Sequence, residues 1–114
     1  MLGRKVIFHI DEMNKWGMVL KNVENLLNAV NEKDINIEVL ANGEAVKYYK
    51  RKLEIGYDDI KNLHCKDVKF MACNNSLISN GLEKNQLIDF IEVVPVGVLE
   101  LIDKQHEGYA YIKP

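Results

Sequence analysis

Apolar residues along this chain change their spacing several times, and each change marks an element. Lys5 to Ile10, with Val6, Ile7, Phe8 and Ile10, is a short apolar run that predicts a strand. From Trp16 the period lengthens. Trp16, Val19, Leu20, Val23, Leu26, Leu27 and Val30 recur every three or four residues, while Lys21, Asn22, Glu24, Asn25 and Asn28 fall between them. That pattern predicts an amphipathic helix with one face for a core and one for water. Asn36 to Ala41, with Ile35, Ile37, Val39 and Leu40, reads as a second strand ended by Asn42 and Gly43. Glu44 to Lys50 and Tyr57 to Leu63 read as short helices joined by a loop around Arg51 to Ile55 and Gly56.

Val68 to Cys73 is the third strand, and Ser76 to Asn80 forms a helical turn closed by Gly81, the residue best suited to the left-handed conformation after a helix. Glu83 to Phe90 reads as a further short helix. Ile91 to Val94 is β-forming, Pro95 and Gly97 mark its exit, and Val98 to His106 is a helix followed by a last strand, Tyr109 to Ile112. Strands that alternate with helices and carry no two-residue hairpin signal predict a parallel sheet covered on both faces. The expected fold is therefore α/β, a flavodoxin-like three-layer sandwich with a mostly parallel five-stranded sheet in the order 2-1-3-4-5. All 114 residues, 1–114, fit one domain.

Charge and composition narrow the function classes. Fifteen basic and seventeen acidic residues give a formal charge of −2, so no field exists to hold a nucleic-acid backbone. The cluster Lys47, Lys50, Arg51 and Lys52 is short and followed by Glu54, which reads as a solvated helix end. No stretch has the ~18 apolar residues of a membrane span. Asp11 and Glu12 interrupt the first apolar run before a signal-peptide core could form. A cytoplasmic location is the expectation, with Cys65 and Cys73 as free thiols.

Candidate chemistry centres on Cys73. It stands where the apolar run Val68 to Ala72 gives way to Asn74, Asn75 and Ser76, residues that favour helix N-caps. If a helix opens there, its unpaired N–H groups and positive end stabilise a thiolate. The alternative is a buried structural cysteine, since free cysteine is among the most buried residue types. In the order 2-1-3-4-5 strands one and three are neighbours, and ligands bind beyond their carboxyl ends. That places His9 or Asp11 near Cys73. His9 has a second reading as a hydrogen-bonded core histidine, and Asp11 with Glu12 as a solvated strand exit. Cys65, just before the third strand, falls at the opposite end of the sheet and out of disulfide reach of Cys73.

Several chemistries lack a motif. No CxxC pair or HxxxH helix occurs, and adjacent His64 and Cys65 make a poor tetrahedral chelate, so no metal is expected. GxGxxG, a P-loop and GxSxG are absent, and Asp11 to Lys15 is too acidic and glycine-poor to cradle a flavin phosphate, so no cofactor is expected either. A phosphate-accepting receiver would need a carboxylate at the end of strand three, where Cys73 stands.

Three separated segments, Phe70 to Leu77, Val93 to Leu101 and Gln105 to Pro114, together with Val6 to Asp11 and Asn22, Val23, Asn25 and Leu26, resemble small stand-alone members of the DsrE/DsrF-like family nearly end to end. The resemblance implies a flavodoxin-like sandwich, a cytoplasmic homotrimer or hexamer, and a reactive cysteine at the end of strand three, here Cys73. Relatives in sulfur oxidation and transfer-RNA thiolation relays carry sulfur on such a cysteine as a persulfide. The resulting expectation is a persulfide carrier, sulfurtransferase-like at most, with a sulfur donor or acceptor protein as partner. Asn74, Asn75 or Ser76 would donate hydrogen bonds and His9 would assist proton movement. The other class left open is a non-catalytic oligomeric binding protein in which Cys73 is structural.

Overall fold

The computed structural model describes residues 3–51 and 57–114. Five parallel strands form its centre: β1 (Arg4–Ile10), β2 (Ile35–Ala41), β3 (Lys69–Cys73), β4 (Glu92–Val94) and β5 (Ala110–Ile112). Four α-helices accompany them, α1 (Trp16–Ala29), α2 (Tyr57–His64), α3 (Asn74–Ser79) and α4 (Gly97–His106). The α/β sandwich and the five-stranded sheet are those expected. Gly43–Tyr49 is a 3-10 rather than an α-helix, which still buries Ala45, Val46 and Tyr49. The expected loop over 52–56 lies outside the described residues.

Strands run in the order β4-β3-β2-β1-β5. This places β2 between β1 and β3, where the order 2-1-3-4-5 has those two adjacent. Burial explains the central place of β2. Every one of its residues except Asn36 is buried, as a strand covered on both faces requires, whereas β5 is exposed along its length and β4 has one exposed and two half-buried residues. Three crossovers step one way, from β1 to β2, β3 and β4, and the last returns across the sheet to pair β5 with β1. Right-handed crossovers then set α1, α2 and α3 on one face and α4 on the other.

The side chains follow that division. Val6, Phe8, Ile37, Val39, Phe70 and Ala72 point to the first face and form the large core with Trp16, Val19, Val23, Ile60, Leu63 and Leu77. Ile7, Leu40 and Met71 point to the second and pack with Leu101 of α4, alongside Val94 and Tyr109. Trp16 is anchored twice, by its Nε1–H donating to the Ala45 carbonyl at 3.0 Å and by stacking on Tyr48 at 4.6 Å. Tyr48 and Tyr49, which flank the basic cluster in sequence, are thus packing residues, and Arg51 pairs with Asp89 at 2.7 Å.

The helix expected over Glu83 to Phe90 is instead one 3-10 turn, Lys84–Gln86, followed by an extended Leu87 and a turn at Asp89 and Phe90. A capping box between Glu83 and Gln86 closes that turn, and Leu87 then bridges Lys50 while the Ile88 N–H donates to the Tyr49 carbonyl at 2.9 Å. Leu87, Ile88 and Ile91 are buried by these contacts, so their helix-like spacing reflects docking rather than helical period.

Candidate functional site

Strand β3 ends at Cys73 in extended conformation (φ −74°, ψ 121°), and α3 begins at the next residue, which makes Cys73 its N-cap. Cys73 also pairs with Val94 of β4, and three residues beyond Val94 the helix α4 begins at Gly97. The helices that follow these adjacent strands leave on opposite faces, α3 toward the Leu77 side and α4 toward the Leu101 side. This is the topological switch point of the sheet, the place where open α/β folds form a crevice. Cys73 occupies it.

The start of α4 contributes a donor to the sulfur. The Gly97 N–H donates to Cys73 Sγ at 3.3 Å. A β-carbon at Gly97 would lie 3.0 Å from Cys73 Cβ and 3.4 Å from Sγ, so any side chain there crowds the thiol against which α4 starts. Cys73 is 6% exposed, and that burial alone raises the thiol. The Ser76 hydroxyl and the N–H groups of Ser76, Gly97 and Asn75 outweigh it and bring Cys73 below the ordinary thiol range. The charged form is favoured by hydrogen bonds and by the positive ends of two helices.

Ser76 and the Asn75 backbone are among the groups that lower the Cys73 thiol, but no hydrogen bond joins the Cys73 side chain to the first turn of α3. Asn74 is exposed at the first position of α3. His9 and Asp11 lie elsewhere. With β2 between β1 and β3, the carboxyl ends of those strands are separated by two strand spacings, roughly 10 Å. His9 Nε2–H donates to Asn42 Oδ1 at 3.0 Å, and its Nδ1 takes the Tyr111 hydroxyl at 2.6 Å. Asp11 pairs with Lys113 at 3.2 Å. Cys65 is an exposed free thiol just after α2, and Cys73 is a buried free thiol.

Gly97 and Gly43 belong to this region although sequence reading treated them only as breakers. Each follows the carboxyl end of a strand by two or three residues, the place where a glycine signals close backbone approach. Gly43 has φ +55°, and its N–H donates to Ser76 Oγ at 2.8 Å. A hollow of about 530 Å³ lined by Arg51, Tyr57, Ile88, Asp89 and Phe90 lies away from the thiol. Among the described residues no group of three or more His, Cys, Asp or Glu is placed to hold a metal ion, and no helix is long and apolar enough to cross a membrane.

A model of the DsrE/DsrF-like family matches residues 7–114. Among solved structures, the protein of unknown function MTH1491 from Methanobacterium thermoautotrophicum is 32% identical, with a TM-score of 0.90 over 97% of this chain and 99% of that one. The conserved protein of unknown function BT1422 from Bacteroides thetaiotaomicron is 17% identical (TM-score 0.73, 96% and 94% covered). The ychN protein from E. coli is 14% identical (TM-score 0.77, 100% of both chains). These last two share the fold. No curated protein matches the chain.

Proposed function

Because the chain belongs to the DsrE/DsrF-like family, we propose that it is a persulfide carrier of intracellular sulfur metabolism or a sulfur relay, with Cys73 as the carrying residue. The observation that supports this most is the buried sulfur at the switch point where α3 and α4 begin, with the Gly97 N–H directed at it. In the forward step the Cys73 thiolate attacks the outer sulfur of a donor persulfide, R–S–SH. A Cys73 S–S bond forms, the donor S–S bond breaks, and the donor leaves as the thiolate RS⁻ with the bonding pair. Cys73 then holds –S–SH. An acceptor thiolate reverses the sequence and regenerates the Cys73 thiolate. No electrons are gained or lost overall, and neither a metal nor a cofactor takes part.

The donor hydrogen bonds that stabilise the Cys73 thiolate also make it a good leaving group in the second half. Cys65 is exposed and remote, so sulfur enters from and leaves to another protein rather than an internal second thiol. The protein acts as one domain over residues 1–114, in the cytoplasm, as a homotrimer or hexamer. Val98, Leu99 and Ile102 support assembly, because they turn an exposed apolar face of α4 to solvent.

Intact-mass measurement after incubation with a persulfide donor tests the carrier. The native chain and Cys65→Ser gain one sulfur, about 32 Da, and Cys73→Ser gains none at that site. A second reading, a non-catalytic oligomeric binding protein with a structural Cys73, draws on the 6% exposure of this residue. It is the one to keep if no adduct appears, or if Cys73→Ser retains the full adduct.

A further inference from the structure

We propose that Glu38 and Lys104 are positioning residues for Cys73: their buried ion pair fixes α4 on the sheet, and α4 in turn holds the Gly97 N–H on the sulfur. The proposal takes its chemical purpose from the carrier reading above, while its geometry stands apart from it.

Gly97, Leu101 and Lys104 fall at positions i, i+4 and i+7 of α4, a single stripe along one side of a helix. Each meets the sheet at a different level. The Gly97 N–H donates to Cys73 Sγ at 3.3 Å, Leu101 packs with Ile7, Leu40 and Met71, and Lys104 Nζ lies 3.4 Å from Glu38 Oε1. Gly97 and Leu101 are the buried residues of this helix, whereas Val98, Leu99 and Ile102 turn outward. One apolar side chain therefore seats α4, and the charged contact is its other attachment along the stripe.

Glu38 is 1% exposed on the central strand β2. A carboxylate there needs its cation close by, because a buried charge without its partner is strongly destabilising. Lys104 is thus held to one place, with Glu100 and Glu107 completing the surroundings of its ammonium group. The helix end beyond it is tied down as well. Gly108 turns the chain at φ +95°, the Tyr109 N–H donates to the Lys104 carbonyl at 2.9 Å, and Lys5 Nζ of β1 donates to the Glu107 carbonyl at 3.1 Å. Lys5 and Lys104 both face the Tyr109 ring.

Glu38 itself does not reach the thiol. It pairs with Lys69, four residues before Cys73 on β3, so roughly 13 Å separates their levels on the sheet. Lys104 is seven residues from Gly97, a span of about 10 Å along a helix. The two spans are comparable, so a rigid helix lying along the strands carries the placement of one end to the other. At the Gly97 end there is little slack, since a β-carbon would meet Cys73 at 3.0 Å and Leu40, on the same face of β2 as Glu38, at 3.5 Å. A hydrogen bond to sulfur made by such a helix start is lost when the helix tilts or slides.

The experiment is the pH profile of iodoacetamide alkylation at Cys73, followed by intact mass in a Cys65→Ser background. Glu38→Leu and Lys104→Met each move the midpoint upward and slow alkylation at pH 7 several-fold, although they remove charges of opposite sign. Val23→Ala, which opens a cavity in the core on the other face, lowers stability and leaves the midpoint native. Circular dichroism checks folding, and Glu38→Leu, which strands no buried carboxylate, carries the test if Lys104→Met fails to fold. A native midpoint in folded Glu38→Leu would overturn the proposal. So would shifts of opposite sign in the two variants, the mark of a direct field at the sulfur, or an equal shift in Val23→Ala, the mark of general loosening. The carrier reading fails separately: if the native chain takes up no sulfur while these variants still shift the profile, positioning stands and transport does not.

Discussion

Gly97 is the residue on which the thiol's environment turns. Its missing side chain lets α4 begin within 3.3 Å of Cys73 Sγ, and a methyl group there would meet Cys73 and Leu40 at 3.0 to 3.5 Å. Gly97→Ala is expected to destabilise the fold by about 1–3 kcal/mol through overpacking. It should also displace the Gly97 N–H, so that the Cys73 thiol rises and alkylation at neutral pH slows. Urea unfolding and the alkylation profile together check this, and a native profile would show that the Gly97 donor is dispensable. At this scale the sequence was informative about one partner and blind to the other. The run Cys73, Asn74, Asn75, Ser76 announces a helix opening at the sulfur, because capping is local. Gly97 is 24 positions away, and only the pairing of β3 with β4 brings it there.

Helix α4 carries its own electrostatic arrangement. On the sheet face it covers, Glu38 of β2 is 1% exposed and meets Lys104 Nζ at 3.4 Å, while Lys104 also faces Glu100 at 4.0 Å and Glu107 at 3.7 Å. One oxygen of Glu38 and one of Glu100 are buried without a hydrogen-bond partner among the described residues. Burial pushes the Glu38 carboxyl above 4.5, Lys104 only partly opposes it, and Glu100 pushes the same way. The folded state therefore holds a proton on Glu38 that the unfolded chain releases, so this group's contribution to stability falls as pH rises from about 4.5 through the raised folded value. Lys104→Met removes the cation and is expected to cost on the order of 3 kcal/mol at pH 7.5. The loss should be smaller at pH 5, because Glu38 takes up its proton more readily as pH falls. Urea unfolding at both values checks this, and equal losses would mean that lost packing, not charge, is responsible.

For the whole molecule the strand order has the largest consequences. One reversal, between β4 and β5, leaves four strands stepping in one direction and sets α4, alone among the described helices, on the second face. The outer side of that helix keeps Val98, Leu99 and Ile102 exposed, which fits the proposed assembly. Light scattering at micromolar concentration is expected to give the mass of three or six subunits for the native chain, and Leu99→Glu with Ile102→Lys is expected to shift it toward the monomer. A native monomer would refute the assembly. The same order separates His9 from Cys73. His9 takes Tyr111 and Asn42 as partners because β5, not β3, lies beside β1.

Sequence alone determined the elements and their class. The period of α1, the apolar strands, the parallel sandwich, the helix opening at Cys73 and the family resemblance all rest on contacts within a few residues or on patterns along the chain. Tertiary structure decided which strands are neighbours, and with that which groups surround the thiol. Several right-handed parallel orders satisfy the same run of strands and helices, and the choice among them is made by burial. A β2 buried on both faces must lie inside the sheet, and the short, less buried β4 and β5 close its edges. From that packing follow the switch point between β3 and β4, the second helix start at Gly97, and a distant His9.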